Sequence, residues 1–327
     1  MARPLARLAL TLLGLGVAAC GGDVAEPGVR VLRVGHFPTV THAQGLAAHA
    51  LTREGQGWFE QRLGPGTKVE WFLFNAGPSA MESILSGAID LTYVGPNPAI
   101  NAHVRSRGRE IRVVAGAARG GAALVVQGDG RIASPADFRG KKVATPQLGN
   151  TQDVACRAWL AAQGFEVTQT GGDVHVVPTQ SSDILALFLR GEIDAAWTVE
   201  PWVSRLESEA GGKILVEEKD AIATVLVAST RFLREEPELA RAFVDAHDEL
   251  TRWIGAHPDE AKALVRAELA AETTREMPQA LVDRCWARIR FDQETSLTAF
   301  ESFVEAAQAA GFLKEAGDLS RLLETSP

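Results

Sequence analysis

Short β-prone segments alternate with helix-forming segments along most of the chain, and the helical ones lie between successive strands. Strands that alternate with helices form a mainly parallel sheet covered by helices on both faces. We therefore predict an α/β protein. The predicted strands are Val31–His36, Lys68–Phe74, Ile89–Val94, Ile111–Ala117, Lys142–Thr145, Val174–Val177, Ala195–Trp197 and Lys213–Val216, and the first helices are His42–Arg53, Pro78–Leu85 and Pro98–Arg105.

The chain contains an internal repeat. Residues 87–94 read GAIDLTYV and residues 191–198 read GEIDAAWT, and a proline follows each within three residues. A second match aligns His42 with Thr151. Two matched stretches in the same order predict two similarly folded lobes, each a doubly wound sheet, and the length of 327 residues suits two domains.

Two apolar segments, Ala122–Gln127 and Ile222–Ser229, can carry the chain between the lobes. We predict lobe 1 at residues 30–121 and 228–327 and lobe 2 at residues 122–227. The pattern from Glu235 to Ser326 is wholly helical and is expected to pack on lobe 1. A separate helical domain is the alternative.

The first twenty residues have the pattern of an export signal. Arg3 and Arg7 precede the apolar run Leu8–Val17, which is too short to span a bilayer. Residues 17–21, VAACG, resemble the bacterial lipobox, which implies a signal peptide at residues 1–20, a lipid on Cys20 and a membrane-anchored exported protein. Residues 21–29 would form a tether. An ordinary signal peptide is the alternative.

The composition and net charge of the chain restrict the kinds of partner that it is expected to bind. The hydrophobic fraction of 46% and the charged fraction of 23% are typical of a folded soluble protein. The net charge is −8 and there is no basic run, so we expect no nucleic-acid partner. Cys156 and Cys285 fall in different predicted lobes, which favours two buried free thiols over a disulfide.

The stretch from Lys141 to Phe165 predicts a ligand site. It reads as a strand, a Gly-Asn-Thr turn and a helix that starts near Asn150. A helix start presents unpaired N–H groups and a positive dipole end, which suit a small oxyanion. Asp153 in the first turn could instead satisfy the dipole by itself. The carboxyl edges of both sheets would form a cleft, from loops 38–42, 75–79, 95–98, 147–152, 179–183 and 199–202.

Four segments carry a family resemblance: LRVGHFPTVTHAQGL, FNAGPSAMESILSGAIDLTYVGPNPAI, KKVATPQLGNTQDVACRAWL and GEIDAAWTVEPWVSRL. They resemble the substrate-binding proteins of ABC importers in the nitrate, sulfonate and taurine group. The resemblance implies a two-lobed periplasmic-type receptor, a monomer that closes on a small anion, most simply an aliphatic sulfonate or taurine. It would deliver the ligand to a permease and its ATPase. Nitrate, bicarbonate or a heterocyclic precursor, and an exported enzyme or sensor, remain alternatives.

The resemblance also selects binding residues, whose hydroxyl, amide and N–H groups suit a weakly basic sulfonate. Carried over by motif, they are Thr39, Thr41, His42, Gln44, Ser79, Asn97, Gln147, Asn150, Thr151 and Gln152.

Arg119 and Glu200 have two interpretations each, and two tryptophans are candidates for an apolar wall. Arg119 could clamp an anion or lie solvated on the surface. Glu200 could hold the ammonium of a taurine-like ligand or serve the start of the helix near Pro201. Trp202 could line the ligand's alkyl chain, while Trp197 suits core packing equally well.

Metal and enzyme chemistry are not predicted. His36, His42 and His49 lack a spaced carboxylate or cysteine set, so we expect no metal. The chain shows no phosphate loop, nucleophile elbow or paired-acid motif, and we expect neither a cofactor nor an enzymatic activity.

Overall fold

A computed structural model describes residues 28–324. The predicted signal peptide at residues 1–20, Cys20 and most of the predicted tether lie outside the described residues. Along residues 28–324, the helices are too short or too polar to cross a membrane.

Strands and helices alternate as the hydrophobic pattern predicts. The strands are β1 (Arg30–His36), β2 (Thr67–Leu73), β3 (Leu91–Val94), β4 (Ile111–Gly120), β5 (Ala122–Val126), β6 (Lys142–Thr145), β7 (His175–Pro178), β8 (Ala195–Val199), β9 (Lys213–Glu218), β10 (Ile222–Ser229) and β11 (Ile289–Phe291). The α-helices are α1 (Ala43–Arg53), α2 (Trp58–Leu63), α3 (Gly77–Leu85), α4 (Pro96–Arg105), α5 (Thr151–Ala162), α6 (Ser181–Leu189), α7 (Trp202–Ala210), α8 (Thr230–Glu235), α9 (Pro237–Ala256), α10 (Pro258–Thr273), α11 (Gln279–Trp286) and α12 (Thr298–Ala309).

The strands of residues 28–324 form two sheets. The first sheet has six strands in the order β11-β4-β10-β3-β1-β2, and the second has five in the order β7-β6-β8-β5-β9. In both sheets the parallel pairs are extended by antiparallel strands. The mixed α/β fold with two sheets is confirmed.

The internal repeat is visible in the strand register. Val34 of β1 pairs with Leu91 of β3, and Val143 of β6 pairs with Ala195 of β8. Leu91 and Ala195 occupy the same position in the repeated motif, four residues after Gly87 and Gly191. The two matched sequences therefore occupy equivalent places in the two sheets.

The C-terminal part of the chain packs on the first sheet. Phe243, Leu250 and Val265 of α9 and α10 share one buried cluster with Leu32 and Val34 of β1. The expectation that this part is wholly helical is wrong, because β11 pairs antiparallel with β4. Residues 289–291, Ile-Arg-Phe, have a high β propensity. They form hydrogen bonds with the free edge of β4, on the side that does not pair with β10.

The chain passes between the sheets at two points. Strand β4 leads directly into β5 through Gly120 and Gly121, both with positive φ. Strand β10 returns to the first sheet and lies between β3 and β4. Residues 222–227, which the sequence assigns to lobe 2, thus belong to the first sheet.

Candidate functional site

Helix α5 starts at a tight turn after strand β6, as predicted. Gly149 adopts a φ of +76°, a conformation that side chains with a Cβ disfavour. The side chain of Asn150 then accepts a hydrogen bond from the Asp153 backbone N–H at 2.8 Å, which makes Asn150 the N-cap. Thr151 and Gln152 follow as the first helical residues, and both are buried.

Asp153 does not face the cavity at this helix start. Its carboxylate is fully buried and accepts hydrogen bonds from the Thr145 hydroxyl at 2.8 Å, the Gly149 N–H at 2.9 Å and Arg157 Nε at 3.0 Å. The carboxylate of Asp153 is therefore occupied by protein partners, and its negative charge is compensated by the ion pair with Arg157.

The loop after strand β1 lies opposite the start of α5. Thr39 and Thr41 are hydrogen-bonded to each other through their hydroxyl oxygens, 3.2 Å apart. Burial and the neighbouring His36 hold the pKa of His42 well below its usual value, so its imidazole is neutral. Because Nδ1 of His42 accepts from the Phe37 backbone N–H at 3.3 Å, Nε2 carries the proton and is a donor.

The elements of the two sheets touch at this point. The Val40 N–H donates to the Glu200 carbonyl oxygen at 3.2 Å, and the Asn97 N–H donates to Thr151 Oγ1 at 3.4 Å. A side chain at Gly95 would overlap Thr151 Oγ1, so only glycine permits this approach.

A small cavity of about 40 Å³ remains between these loops. The starts of helices α1, α3, α4, α5 and α6 all contribute to its wall, which brings several positive dipole ends together. Helices α3 and α4 start without a side-chain cap hydrogen bond. The lining residues include no Asp, Glu, Lys or Arg within residues 28–324; they are Phe37, Thr39, Thr41, His42, Asn75, Ala76, Gly77, Gly95, Pro98, Pro146, Asn150, Thr151, Gln152, Ser181, Val199 and Ala223.

A larger cavity of about 380 Å³ adjoins the small one, and Thr39, Asn75 and Ser181 line both. Its wall includes the apolar side chains of Leu73, Trp202, Met277 and Leu281. Trp202 therefore contributes an aromatic side chain to this cavity. Trp197 packs in the core of the second sheet and donates from Nε1 to Glu218 at 2.9 Å.

Glu200 and Arg119 have protein partners in place of a ligand. The buried Glu200 carboxylate accepts from the Ser204 N–H at 3.0 Å and from Arg288 Nη1 at 3.0 Å, which is the helix-start role that the sequence left open. Arg119 donates from Nε to Asp292 at 3.1 Å. Both charges are already paired and neither residue lines the two cavities, which favours structural roles over ammonium binding by Glu200 and anion clamping by Arg119.

Four other predicted residues are absent from the wall of the small cavity. Gln44 donates to the Ala117 carbonyl at 2.8 Å, Ser79 donates to the Ala76 carbonyl at 2.8 Å, and the Asn97 side chain donates to the Phe303 carbonyl at 3.0 Å. Gln147 lies in the turn before Asn150, and its buried Oε1 has no hydrogen-bond partner within residues 28–324. The first three donate to backbone carbonyls, and the buried Oε1 of Gln44 lacks a partner within residues 28–324, as does that of Gln147.

Two lining residues with polar side chains were not singled out from the sequence. Asn75 and Ser181 follow β2 and β7 and lie within loops that the sheet-edge argument predicts for the cleft. The signal that could have found them is a polar residue at a helix start directly after a strand.

The two thiols are not part of the site. Cys156 and Cys285 are free and buried, as predicted. Burial raises the pKa of each thiol, so neither is a reactive thiolate.

Comparison with known proteins agrees with this architecture. The chain is 28% identical, over 200 residues, to the taurine-binding periplasmic protein of Escherichia coli, a match that covers 59% of this chain and 60% of that protein. The alkanesulfonate-binding protein SsuA of Xanthomonas axonopodis, solved with MOPS, has the same fold, with a TM-score of 0.73, 20% identity and coverage of 92% of this chain and 99% of that one.

The aliphatic sulphonate-binding protein SsuA of Escherichia coli also shares the fold. Its TM-score is 0.70 at 19% identity, and the match covers 90% of this chain and 97% of that one. The model of the NMT1-like family matches residues 25–271, which is most of the chain. The chain therefore belongs to the NMT1-like family.

Proposed function

We propose that the protein is a receptor that binds an aliphatic sulfonate or taurine in a cleft between two lobes and delivers it to the permease and ATPase of an ABC importer. The observation that carries the proposal is the small cavity at the start of α5, where hydroxyl, amide and backbone N–H groups from both sheets converge. A sulfonate needs hydrogen-bond donors more than proton exchange, and these groups supply them. The names of the relatives support the same class of ligand.

In this proposal the acid group occupies the small cavity and the carbon chain extends into the larger one. Trp202 and Leu73 would contact the alkyl part there. The receptor lobes would be built on the two sheets, at residues 30–121 with 228–327 and at residues 122–227, with strand β10 joined to the first. The receptor would act as a monomer.

Calorimetry with ethanesulfonate tests the ligand class. Thr151→Ala should weaken binding by about 1–3 kcal/mol, because it removes one hydroxyl while backbone N–H groups remain. Thr170→Ala, an exposed threonine that lines neither cavity, is the control and should bind normally. Taurine should bind as well, and a neutral amide of the same size should not.

Four results would refute this assignment. Equal thermal stabilisation by ethanesulfonate and propanamide would exclude an anion site. An unchanged affinity of Thr151→Ala for ethanesulfonate would show that the ligand binds elsewhere in the protein. Tighter binding of nitrate or bicarbonate than of ethanesulfonate would show that the ligand is a smaller anion. Turnover of a bound compound would indicate an enzyme.

We further propose that the protein is exported and anchored through a lipid on Cys20. The charged, apolar and small-residue order of residues 1–20 supports this, as does a relative named as periplasmic. Cys20→Ser should release the protein from the membrane fraction. Unchanged membrane association of that variant, compared with the native protein after cell fractionation, would refute the anchor.

A further inference from the structure

A second polar cluster lies beside the larger cavity. His36 at the end of β1, His49 on α1 and Glu272 on α10 direct one donor atom each toward a common point. The side chain of His36 is fully buried, and that of Glu272 is 2% exposed. Glu272 follows His49 by 223 residues, so no local spacing could have shown this set in the sequence.

The distances between the donor atoms match a metal coordination shell. His36 Nε2 lies 3.0 Å from Glu272 Oε1 and 3.2 Å from His49 Nδ1, and His49 Nδ1 lies 3.2 Å from Glu272 Oε1. Tetrahedral ligands at about 2.0–2.1 Å from a zinc ion are about 3.3–3.4 Å from one another. A fourth donor atom, Glu268 Oε1, lies 2.8 Å from His49 Nδ1.

Hydrogen bonding among these residues leaves buried groups without partners. Glu272 Oε2 and His36 Nδ1 are both buried and have no hydrogen-bond partner within residues 28–324. A buried carboxylate oxygen without a hydrogen-bond partner lowers the stability of the folded state. A divalent cation at the shared point would compensate the charge of Glu272, whereas Arg53 already pairs with Glu268.

We propose that His36 Nε2, His49 Nδ1 and Glu272 Oε1 bind a divalent transition-metal ion of the zinc type, with Glu268 or water as the fourth ligand. Two imidazoles favour zinc and its neighbours over magnesium or calcium, which prefer all-oxygen sites. Because Glu272 also lines the larger cavity, the site has a route to solvent. The ion would join β1 and α1 to α10, and so fix the C-terminal part of the chain on the first sheet.

Zinc titration of the purified, chelator-treated protein tests the site. We expect one Zn²⁺ per chain by calorimetry, a rise in melting temperature with Zn²⁺, and a four-coordinate visible spectrum with Co²⁺. Glu272→Gln and His49→Gln should each weaken Zn²⁺ binding by about tenfold or more. The matched controls are Glu276→Gln, an exposed residue of the same cavity, and His175→Gln, an exposed histidine on β7.

His36 is too deeply buried for its variant to separate metal loss from misfolding, so Glu272→Gln and His49→Gln decide the question. Each variant is first shown to be folded by circular dichroism. The inference is overturned if the native protein binds no stoichiometric Zn²⁺, or if both folded variants bind it as tightly as the controls do. Sulfonate binding is measured separately, so failure of either proposal leaves the other intact.

Discussion

At the residue scale, His247 is a neutral hydrogen-bonding group in the core of the first sheet. His247 is fully buried; its Nε2–H donates to the Gly116 carbonyl at 2.8 Å, and its Nδ1 accepts from the Tyr93 hydroxyl at 3.0 Å. Desolvation lowers the pKa of His247 to about 4. Protonation would bury a charge and remove the acceptor for Tyr93, so the fold requires the neutral form.

His247 should therefore make the protein acid-sensitive. The pKa of His247 is lower in the folded state than in the unfolded state. Between about pH 6.5 and 4 the unfolded state therefore binds one more proton than the folded state, and the free energy of unfolding decreases as the pH is lowered. The contribution of His247 is about 3 kcal/mol over this window. His42 and His103, whose pKa values are also lowered, act in the same direction, while the raised pKa of His49 opposes them.

The measurement is the difference between native protein and His247→Gln in urea unfolding at pH 7 and pH 4.5. The variant is expected to be less stable at pH 7 and to lose less stability on acidification. His257→Gln, at an exposed histidine between α9 and α10, should behave like the native protein. Parallel pH profiles for native protein and His247→Gln would contradict the assignment.

At the element scale, the aspartate of the repeated motif ties a turn to the neighbouring parallel strand in both sheets. The Asp90 carboxylate accepts the Arg33 backbone N–H at 3.0 Å, and the Asp194 carboxylate accepts the Lys142 backbone N–H at 2.9 Å. In return, the N–H of each aspartate donates to the carbonyl of the same partner at 2.9 Å. The repeated Ile-Asp pair is thus explained by strand register rather than by ligand binding.

The two aspartates provide a matched pair of substitutions. Asp90 has a 2% exposed side chain that also pairs with Arg33 at 3.0 Å, whereas Asp194 is 21% exposed and lies 3.7 Å from Lys141. We expect Asp90→Ala to cost about 3 kcal/mol and Asp194→Ala about 1 kcal/mol, because charged hydrogen bonds contribute more when they are buried. Guanidinium unfolding midpoints measure both, and equal losses would show that burial does not set the difference.

At the scale of the whole molecule, the contact between the two sheets depends on one missing side chain. Gly95 has an ordinary φ of −69°, so alanine fits its backbone, yet a Cβ would overlap Thr151 Oγ1. A change at Gly95 therefore affects the approach of α5 to α4 and little else. The ion pair of Arg288 with Glu200 at 3.0 Å is a second link between the C-terminal part and the second sheet.

Gly95→Ala should hold the two halves apart. The expected results are a larger radius of gyration in small-angle X-ray scattering and ethanesulfonate affinity lowered by about tenfold or more, with a nearly unchanged melting temperature. Gly171→Ala, where a Cβ would meet open space, is the control. An unchanged radius of gyration in Gly95→Ala would show that the contact is not required for the compact form.

The sequence by itself determined the features that depend on local order along the chain. Alternating apolar segments predicted the α/β fold, because strand and helix periodicities are local properties. The repeat predicted two equivalent sheets, and their register agrees residue for residue at Val34 and Val143. The start of α5 followed from Asn150 and Gly149, whose turn and cap chemistry acts over four residues.

Only the tertiary structure decided which charged groups are paired within the protein and which remain available to bind a ligand. Glu200 is paired with Arg288, Arg119 with Asp292, and His49 with Glu272, and each pair joins residues far apart in the chain. Tertiary packing also places Asn75 and Ser181 in the wall of the small cavity. It brings the carboxylate of Asp153 next to Arg157. Pair electrostatics depends on distance and burial in the folded chain, so no pattern along the sequence could have assigned these partners.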